Sequence, residues 1–592
     1  MWGEHLRAKP ANFILRSLSR VQHTEDAAPA YAREDLLAAR FRRARVVPFQ
    51  SAHSPFVSNL LLAIFSGFLL VFAFPEWNLW SLGWVGTAPL IMAVVRERRF
   101  WRSLLLGTMT GTIFYIGTSN WIIYSMHHYG GIPLWVCYLI TLILTMGFGL
   151  FTGLFAATFA YGVKQFGGWA ILSAPVLWAA SEYARIAVTG VGWNALGYSQ
   201  AFQPALIQTA RVGGVYLVSA LMVAAGTALV FAVIYLERRR GLVVLTVVIA
   251  LMIAAFVYGE SLRPKSDGPH SLTAVVVQPN IPITIDWSDA QFVAELLKRH
   301  LSLSAEAIQN YTTNSDAQTN VPHAAEGEAH AKVDVVIWPE SPINFEYDRE
   351  PELRRRLAEF ARQQQVYLLI SSWGYPPGQA TTDKAYNSAI LIAPSGEKVG
   401  QYDKVALLPF GEYVPARGWI PFMDRIPSMI GDVTPGTRVG VMDAGRARLG
   451  PMICFEATRP DLARALRAEG ASLFIQLSNE AWFGPTAVAR QMLAETVFRA
   501  VENNLELIRA TNSGLSAKVD SFGRVSGETP MFDSLARVWT LQTVEEAASL
   551  RPTFYARHGD VFVLSCVVAS LLLGLASIIH RVVEKRREKD NA

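Results

Sequence analysis

Three residues of this chain have the types and placement to do covalent chemistry: a cysteine, a glutamate and a lysine, each at or just after the end of an expected strand. Cys454 closes the stretch Leu449-Gly-Pro-Met-Ile-Cys454-Phe-Glu456, Glu340 closes Val335-Val-Ile-Trp-Pro-Glu340, and Lys404 follows Tyr402-Asp. A thiol attacks only as thiolate, so it needs a base or a cation beside it and shelter from water. Glu340 could take the thiol proton, and Lys404 could hold the resulting negative charge. Alone, each has a plainer reading: Cys454 as an inert buried cysteine, Glu340 as a helix cap after Pro339, Lys404 as a solvated hairpin lysine. The other two cysteines, Cys137 and Cys566, lie inside long apolar runs, so no disulfide framework is expected.

The surrounding pattern supplies elements to position them. Runs rich in β-branched residues at 272–277, 333–337, 366–371 and 473–477 read as strands buried on both faces. Helical periodicity at 289–309, 352–364, 460–469 and 487–504 lies between several of them. Pro394-Ser-Gly396, between strands at 388–392 and 398–402, and Ser521-Phe-Gly523 mark hairpins. Strands alternating with helices make a layered α/β domain, whose working residues stand at strand ends. One edge of one sheet could gather all three groups.

The rest of the chain is of another kind. Hydrophobic residues make up 51% and charged residues 17%, bunched so that a multi-pass α-helical membrane domain is expected beside the soluble part. Eight spans are expected, near 56–74, 79–95, 103–124, 133–162, 169–190, 213–236, 241–259 and 561–581. With the N-terminus inside, the basic clusters at Arg96 to Arg99, Lys164, Arg238 to Arg240 and Arg581 to Lys589 all fall on the cytoplasmic side. Both termini are then cytoplasmic and the soluble part is extracytoplasmic. The expected division is a basic cytoplasmic arm at 1–55, seven helices at 56–260, a catalytic domain at 261–556, and a last helix with a basic tail at 557–592. The net charge of +5 is small and its basic residues flank apolar runs, which reads as membrane orientation and not nucleic-acid binding. Glu182 and Arg185, three residues apart, read as an interfacial ion pair. His127-His128 cannot both face one ion easily, and the soluble part has neither a metal-ligand cluster nor a phosphate-binding glycine loop, so no metal or cofactor is expected.

Taken in the order Glu, Lys, Cys, three motifs resemble the nitrilase superfamily of carbon–nitrogen hydrolases. They are Trp338-Pro-Glu340-Ser, Asp403-Lys404 with Pro409-Phe-Gly-Glu412-Tyr-Val-Pro415, and Ile453-Cys454-Phe-Glu456. The resemblance implies an α-β-β-α sandwich and a triad of Glu340, Lys404 and Cys454. Further motifs narrow it to the membrane-embedded branch, the apolipoprotein N-acyltransferases: Gly197-Tyr-Ser-Gln200, Val277-Gln-Pro-Asn280 with Trp287, Ser478-Asn479-Glu480-Ala-Trp482-Phe483-Gly484 and Arg509-Ala-Thr-Asn512-Ser-Gly514. That branch implies a monomeric, cofactor-free enzyme of the bacterial inner membrane with its catalytic domain on the periplasmic side. It would move a fatty-acyl chain from a phospholipid, through a Cys454 thioester, to the α-amine of the N-terminal diacylglyceryl-cysteine of apolipoproteins.

Glu412, Glu456 and Trp287 match supporting positions, Asn479 lies in a matched motif, and Trp482 and Phe483 are candidate lid or acyl-contact residues, or interface anchors. The departures are the long basic arm, Phe455 where tyrosine is common, and Glu480 where aspartate is usual. Phe455 leaves no hydroxyl for a hydrogen bond there. The alternative is a membrane-anchored amidase or nitrilase hydrolysing a small carbon–nitrogen substrate, which would use the same triad; an anchor, however, needs one helix. A non-enzymatic transporter or scaffold would leave the three motifs unexplained.

Overall fold

The computed structural model describes residues 56–590 apart from 236–238, 265–270, 284–289, 314–331, 341–344, 377–384, 415–416 and 418–432. The basic arm and Trp287 lie outside the described residues.

From Phe56 to Ser261 the described chain is almost all helical, and the helix Val561–Asp590 packs back onto the same bundle. Among the described residues, five stretches are long and apolar enough to cross a membrane: Phe56–Ala73, Leu134–Thr189, Ala210–Ile234, Arg239–Ser261 and Val561–Asp590. Other expected spans are broken. The second is a 3-10 turn, Trp80–Trp84, and a ten-residue helix, Ala88–Glu97. The fifth, which continues the fourth within Leu134–Thr189, is a 3-10 turn, Gly167–Ser173, and the helix Ala174–Thr189. Pro89 and Pro175 sit in the first turn of these helices, where a missing N–H costs nothing and a new helix begins. The third, Phe100–Thr118, ends early, and a separate helix, Trp121–His128, follows it. Bundle helices approach closely through small residues: a Cβ on Gly111 would lie 2.7 Å from the Cα of Gly149, the contact by which apolar helices associate without a hydrophobic driving force. Glu182 and Arg185 do not form the expected ion pair. Glu182 accepts from Trp178 Nε1 at 2.9 Å and Leu196 N at 2.8 Å, and Arg185 donates to the Val191 carbonyl at 2.8 Å. Both are buried, and the turn after their helix offers backbone partners that each reaches.

The remaining chain builds two sheets. Its strands are β1 (Leu272–Gln278), β2 (Val335–Ile337), β3 (Tyr367–Gly374), β4 (Tyr386–Ile392), β5 (Lys398–Asp403), β6 (Met442–Asp443), β7 (Arg448–Ile453), β8 (Leu473–Ser478), β9 (Leu507–Thr511), β10 (Ala517–Val519), β11 (Val525–Ser526) and β12 (Leu535–Leu541). One sheet has the order β12-β1-β2-β3-β4-β5 and the other β11-β10-β9-β8-β7-β6. Alternation along each strand assigns the faces. On β1, Leu272, Ala274 and Val276 point into a core shared with Leu449, Ile453, Ile475 and Ile508 of the other sheet. Val275 and Val277 point outward onto the helices Ala290–Thr313 and Pro351–Gln364 through Leu296, Leu297, Leu357 and Phe360. The result is the α-β-β-α sandwich expected from the motifs.

The outer helix layer of the second sheet is continuous with the membrane bundle, because Phe474, Leu493, Val497 and Val501 share one core with Val215, Val218 and Val563. The helix Val488–Asn503 is buried apart from Arg490, and two of its glutamates meet backbone groups of the bundle. Glu495 accepts from Asn194 N at 3.4 Å, and Glu502 from Val215 N at 3.1 Å. The second contact falls where Ala210–Ile234 kinks at Gly213 and Gly214. Gly214 has φ of +63°, and a Cβ there would lie 2.7 Å from the Tyr555 ring, so only glycine serves.

Candidate active site

The three groups converge, but not from one sheet edge. Glu340 comes three residues after β2, and Lys404 immediately after β5, both in the first sheet. Cys454 comes immediately after β7 in the second. The site lies where strand ends of the two facing sheets meet, an arrangement that chain order cannot reveal.

Glu340, Lys404 and Cys454 are buried, with exposures of 7%, 1% and 8%, which rules out the solvated-lysine reading. Lys404 Nζ lies 3.4 Å from Glu340 Oε1 and 2.9 Å from Glu412 Oε1. The thiol of Cys454 is a hydrogen-bond partner of Glu340. Asn387, on β4, fastens the two carboxylates from behind: its Nδ2 donates to Glu340 Oε1 at 2.9 Å and to Glu412 Oε1 at 3.0 Å. The second oxygen of Glu412 accepts from Leu408 N at 2.8 Å. Asn387 was not expected from the sequence. The available signal was a polar residue at the start of an otherwise apolar strand, in the hairpin that delivers Lys404.

Glu456 ties the turn at Cys454 to the loop after Lys404. One of its oxygens accepts from Ile453 N at 2.8 Å, and the other from Val405 N at 2.7 Å, Ala406 N at 3.0 Å and Tyr402 OH at 2.9 Å. It does not reach the reacting groups; it sets their separation. Cys454 itself has φ of +52°, a left-handed conformation costing roughly 1–2 kcal/mol for a residue with a Cβ. It opens the 3-10 turn Cys454–Thr458, in which Phe455 is also buried.

The electrostatics differ from the simple expectation that Lys404 would leave the thiol ionised. Burial, and next the Glu340 charge, push the Cys454 thiol well above its usual range, and the opposing effect of Lys404 is smaller. Burial also raises Glu340, against the pull of Lys404. Burial would lower Lys404, but Glu412 and Glu340 overcome this and hold it firmly protonated. The arrangement therefore favours a neutral thiol beside a carboxylate of raised proton affinity, with a fixed cation next to both.

The remaining expected residues lie around this centre. Asn479 Oδ1 accepts from Asn512 Nδ2 at 3.1 Å and from Ala481 N at 3.3 Å, stabilising the strand end after β8. Trp482 and Phe483 follow in the turn Glu480–Phe483, which docks on the helix Trp121–His128. Phe483 meets Trp121 edge-on at 4.9 Å, Trp482 meets Tyr129 at 5.3 Å, and Ser125 Oγ donates to the Trp482 carbonyl at 2.8 Å. Phe483, Trp193 and Cys454 belong to one apolar cluster, with Trp121 packed against it. Trp121 and Trp193 are not singled out as site residues by the sequence: Trp121 falls inside the expected span 103–124, and Trp193 in the glycine- and aromatic-rich segment 192–200, which suits an outer interface loop.

Two family models match the chain: the apolipoprotein N-acyltransferase N-terminal domain over residues 66–228 and carbon-nitrogen hydrolase over 273–538. Among curated proteins, an apolipoprotein N-acyltransferase of Geobacter metallireducens is 32% identical over 558 residues, covering 91% of this chain and 100% of that protein. One of Azotobacter vinelandii is 30% identical, covering 80% and 87%. Among solved structures, an amidase from Nesterenkonia sp. AN1 is 19% identical with a TM-score of 0.32, covering 46% of this chain and 96% of its own. A nitrilase-superfamily protein of Saccharomyces cerevisiae is 18% identical with a TM-score of 0.34, covering 48% and 95%. End-to-end identity with the Geobacter relative, and two family models lying in chain order over the helical part and the sandwich, make this chain a member of the apolipoprotein N-acyltransferase family and hence an acyltransferase.

Proposed function

We propose that this chain carries an acyl group from a membrane phospholipid, as a thioester on Cys454, to the α-amine of the N-terminal diacylglyceryl-cysteine of an apolipoprotein. The observation that carries this reading is the buried hydrogen-bonded set of Cys454, Glu340 and Lys404 beside an apolar wall formed with the helical part. Glu340 takes the thiol proton as sulfur attacks the ester carbonyl. This moves one negative charge from carboxylate to sulfur and then to the carbonyl oxygen, always beside Lys404, so no new charge is created in the low-dielectric site. The tetrahedral intermediate collapses with cleavage of the C–O bond. Glu340 returns the proton to the leaving oxygen, and a lysophospholipid departs. In the second half the amine attacks the thioester, Glu340 accepts the amine proton, and the C–S bond breaks. Cys454 then regains its proton.

The same proposal places the catalytic groups at 261–556, outside the cytoplasmic membrane, with eight spans including the shorter helices and both termini cytoplasmic. It is supported by the basic residues after alternate spans. The enzyme is read as a monomer in the bilayer.

The test is mass spectrometry of the full chain after incubation with phospholipid vesicles, with Cys454→Ala alongside. The expected result is an added fatty-acyl mass at Cys454 that is absent from the variant and discharged by a diacylglyceryl lipopeptide. No acyl mass and no lipopeptide product, with ammonia released from small amides instead, would favour the amidase alternative.

A further inference from the structure

We infer that Gln476 and Arg509 are positioning residues for the nucleophile, the central members of a buried relay that holds the Cys454 carbonyl and with it the left-handed turn aiming the thiol at Glu340. The inference rests on the role proposed for Cys454.

Gln476 is on β8, next to the strand that ends at Cys454, and Arg509 is its register partner on β9. Gln476 Nε2 donates to the Cys454 carbonyl at 3.1 Å. Its Oε1 accepts from Arg509 Nη1 at 2.7 Å and lies 2.7 Å from Thr496 Oγ1, whose single proton has the Met492 carbonyl, also at 2.7 Å, as its other acceptor. The guanidinium decides the orientation of the amide: turned over, its NH2 group would face a donor-only group with no lone pair to offer. The side chain can therefore present only a donor to Cys454. Arg509 is held in turn, with Nε donating to the Leu515 carbonyl at 3.0 Å and Nη2 to Glu480. All four side chains are buried.

Glu480 ends the relay, and its extra methylene relative to the usual aspartate is accommodated. Ser478 Oγ donates to its Oε1 at 2.5 Å, and Gly514 leaves the space a Cβ would occupy, 2.1 Å from Oε2. Glu480 also opens the turn that carries Trp482 and Phe483 onto the helix Trp121–His128. The relay therefore joins the backbone of the nucleophile to the aromatic wall against the helical part. Without the Gln476 donor, the Cys454 carbonyl loses a partner and the strained φ can relax toward ordinary values. A shift of about 1 Å in a reacting atom is enough to cost on the order of a hundredfold in rate.

The experiment measures the rate of acyl-adduct formation on the full chain in nanodiscs as the phospholipid fraction is varied, for native chain, Gln476→Met, Arg509→Lys and Thr496→Val, with melting temperatures. A positioning role predicts a maximal rate lower by roughly tenfold or more in Gln476→Met, a smaller loss in Arg509→Lys, and an unchanged half-saturating lipid fraction. If Gln476→Met does not fold, Arg509→Lys and Thr496→Val together decide, since they remove the guanidinium donor to Oε1 and the hydroxyl beside it; a loss of about threefold or more in maximal rate alone supports the relay. Folded variants that acylate within about twofold of native, or that change only the half-saturating fraction, overturn it. A native chain that gains no acyl mass overturns the role of Cys454 and the relay with it.

Discussion

Lys404 is anchored by Glu412 more closely than by Glu340: its Nζ stands 2.9 Å from Glu412 Oε1 and 3.4 Å from Glu340 Oε1. The lysine is thus anchored chiefly by Glu412, which leaves Glu340 as the carboxylate beside Cys454. Glu412 also acts at a distance, since its charge is one of the influences that raise Glu340, after burial and in opposition to Lys404. Glu412→Gln keeps the shape and removes the charge. Lys404 then pairs with Glu340 alone, and the proton affinity of Glu340 falls. The expected outcome is an acidic limb of the pH–rate profile displaced to lower pH, with a maximal rate lower by roughly a hundredfold. Steady-state rates of lipopeptide acylation between acid and neutral pH check this; an unmoved limb would contradict the assignment of Glu340 as base.

Asn387 donates from one nitrogen to both carboxylates. Asn387→Leu leaves two buried acceptors short of a donor, and hydrogen bonds to charged groups contribute about 1.5–3 kcal/mol. A loss of that size in the transition state corresponds to roughly a tenfold to hundredfold lower rate. Asn387→Asp should be worse, because a third carboxylate would compete for Lys404 and raise Glu340 further. Rates for the two variants, with melting temperatures to separate folding from chemistry, are the check; Asp faster than Leu would be the contrary result.

The buried layer between the sandwich and the bundle responds to pH. Burial pushes Glu495 up to about 8 and Glu502 to about 7, in both cases against Arg499. Arg185 and Arg509 also lower Glu495, and Arg464 lowers Glu502 while Asp560 raises it. Both carboxyls keep a proton in the folded chain at pH values where an unfolded chain, with the ordinary 4.5, has released it. The stability this contributes is full below that ordinary value and is lost as pH rises through 7 and then 8. The melting temperature of the full chain in detergent is expected to fall between pH 5 and pH 8, about these two titrations, and Glu495→Gln should flatten the upper part of that fall. A melting temperature that rises over the window would show that the two carboxyls do not govern it.

The candidate catalytic residues were legible because chemistry requires particular types at strand ends, and Glu340, Lys404 and Cys454 each stand at or just after an expected strand. Which sheet each strand joins was not, since β2 and β5 enter one sheet and β7 the other through long-range pairing that local pattern does not encode. The strand β9 was hidden by Arg509, a charge inside a five-residue run that is buried only because Gln476 and Glu480 receive it. The strand β12 was hidden by its half-exposed alternation at a sheet edge. Apolar content indicated spans at 79–95 and 169–190, but the breaks at Pro89 and Pro175 depend on packing against neighbouring helices. Asn387 was missed because a polar residue at the start of a strand does not by itself name a partner, and its role exists only once two distant glutamates meet.

Phe483 provides a test of water exclusion. Its ring meets Trp121 at 4.9 Å and belongs with Cys454 and Trp193 to one apolar cluster, so it forms part of the wall that would shield the proposed Cys454 thioester from water. Phe483→Ala removes that wall, but a buried Phe→Ala change also costs about 3–5 kcal/mol of stability, which by itself could abolish activity. Phe483→Leu keeps most of the volume and serves as the folded comparison. The expected outcome for both is faster loss of the acyl group as free fatty acid when no amine acceptor is present, greater for Ala than for Leu, with the rate of acyl-enzyme formation less affected. Fatty-acid release measured against lipopeptide acylation in the same samples separates this from simple unfolding, in which both would fall together.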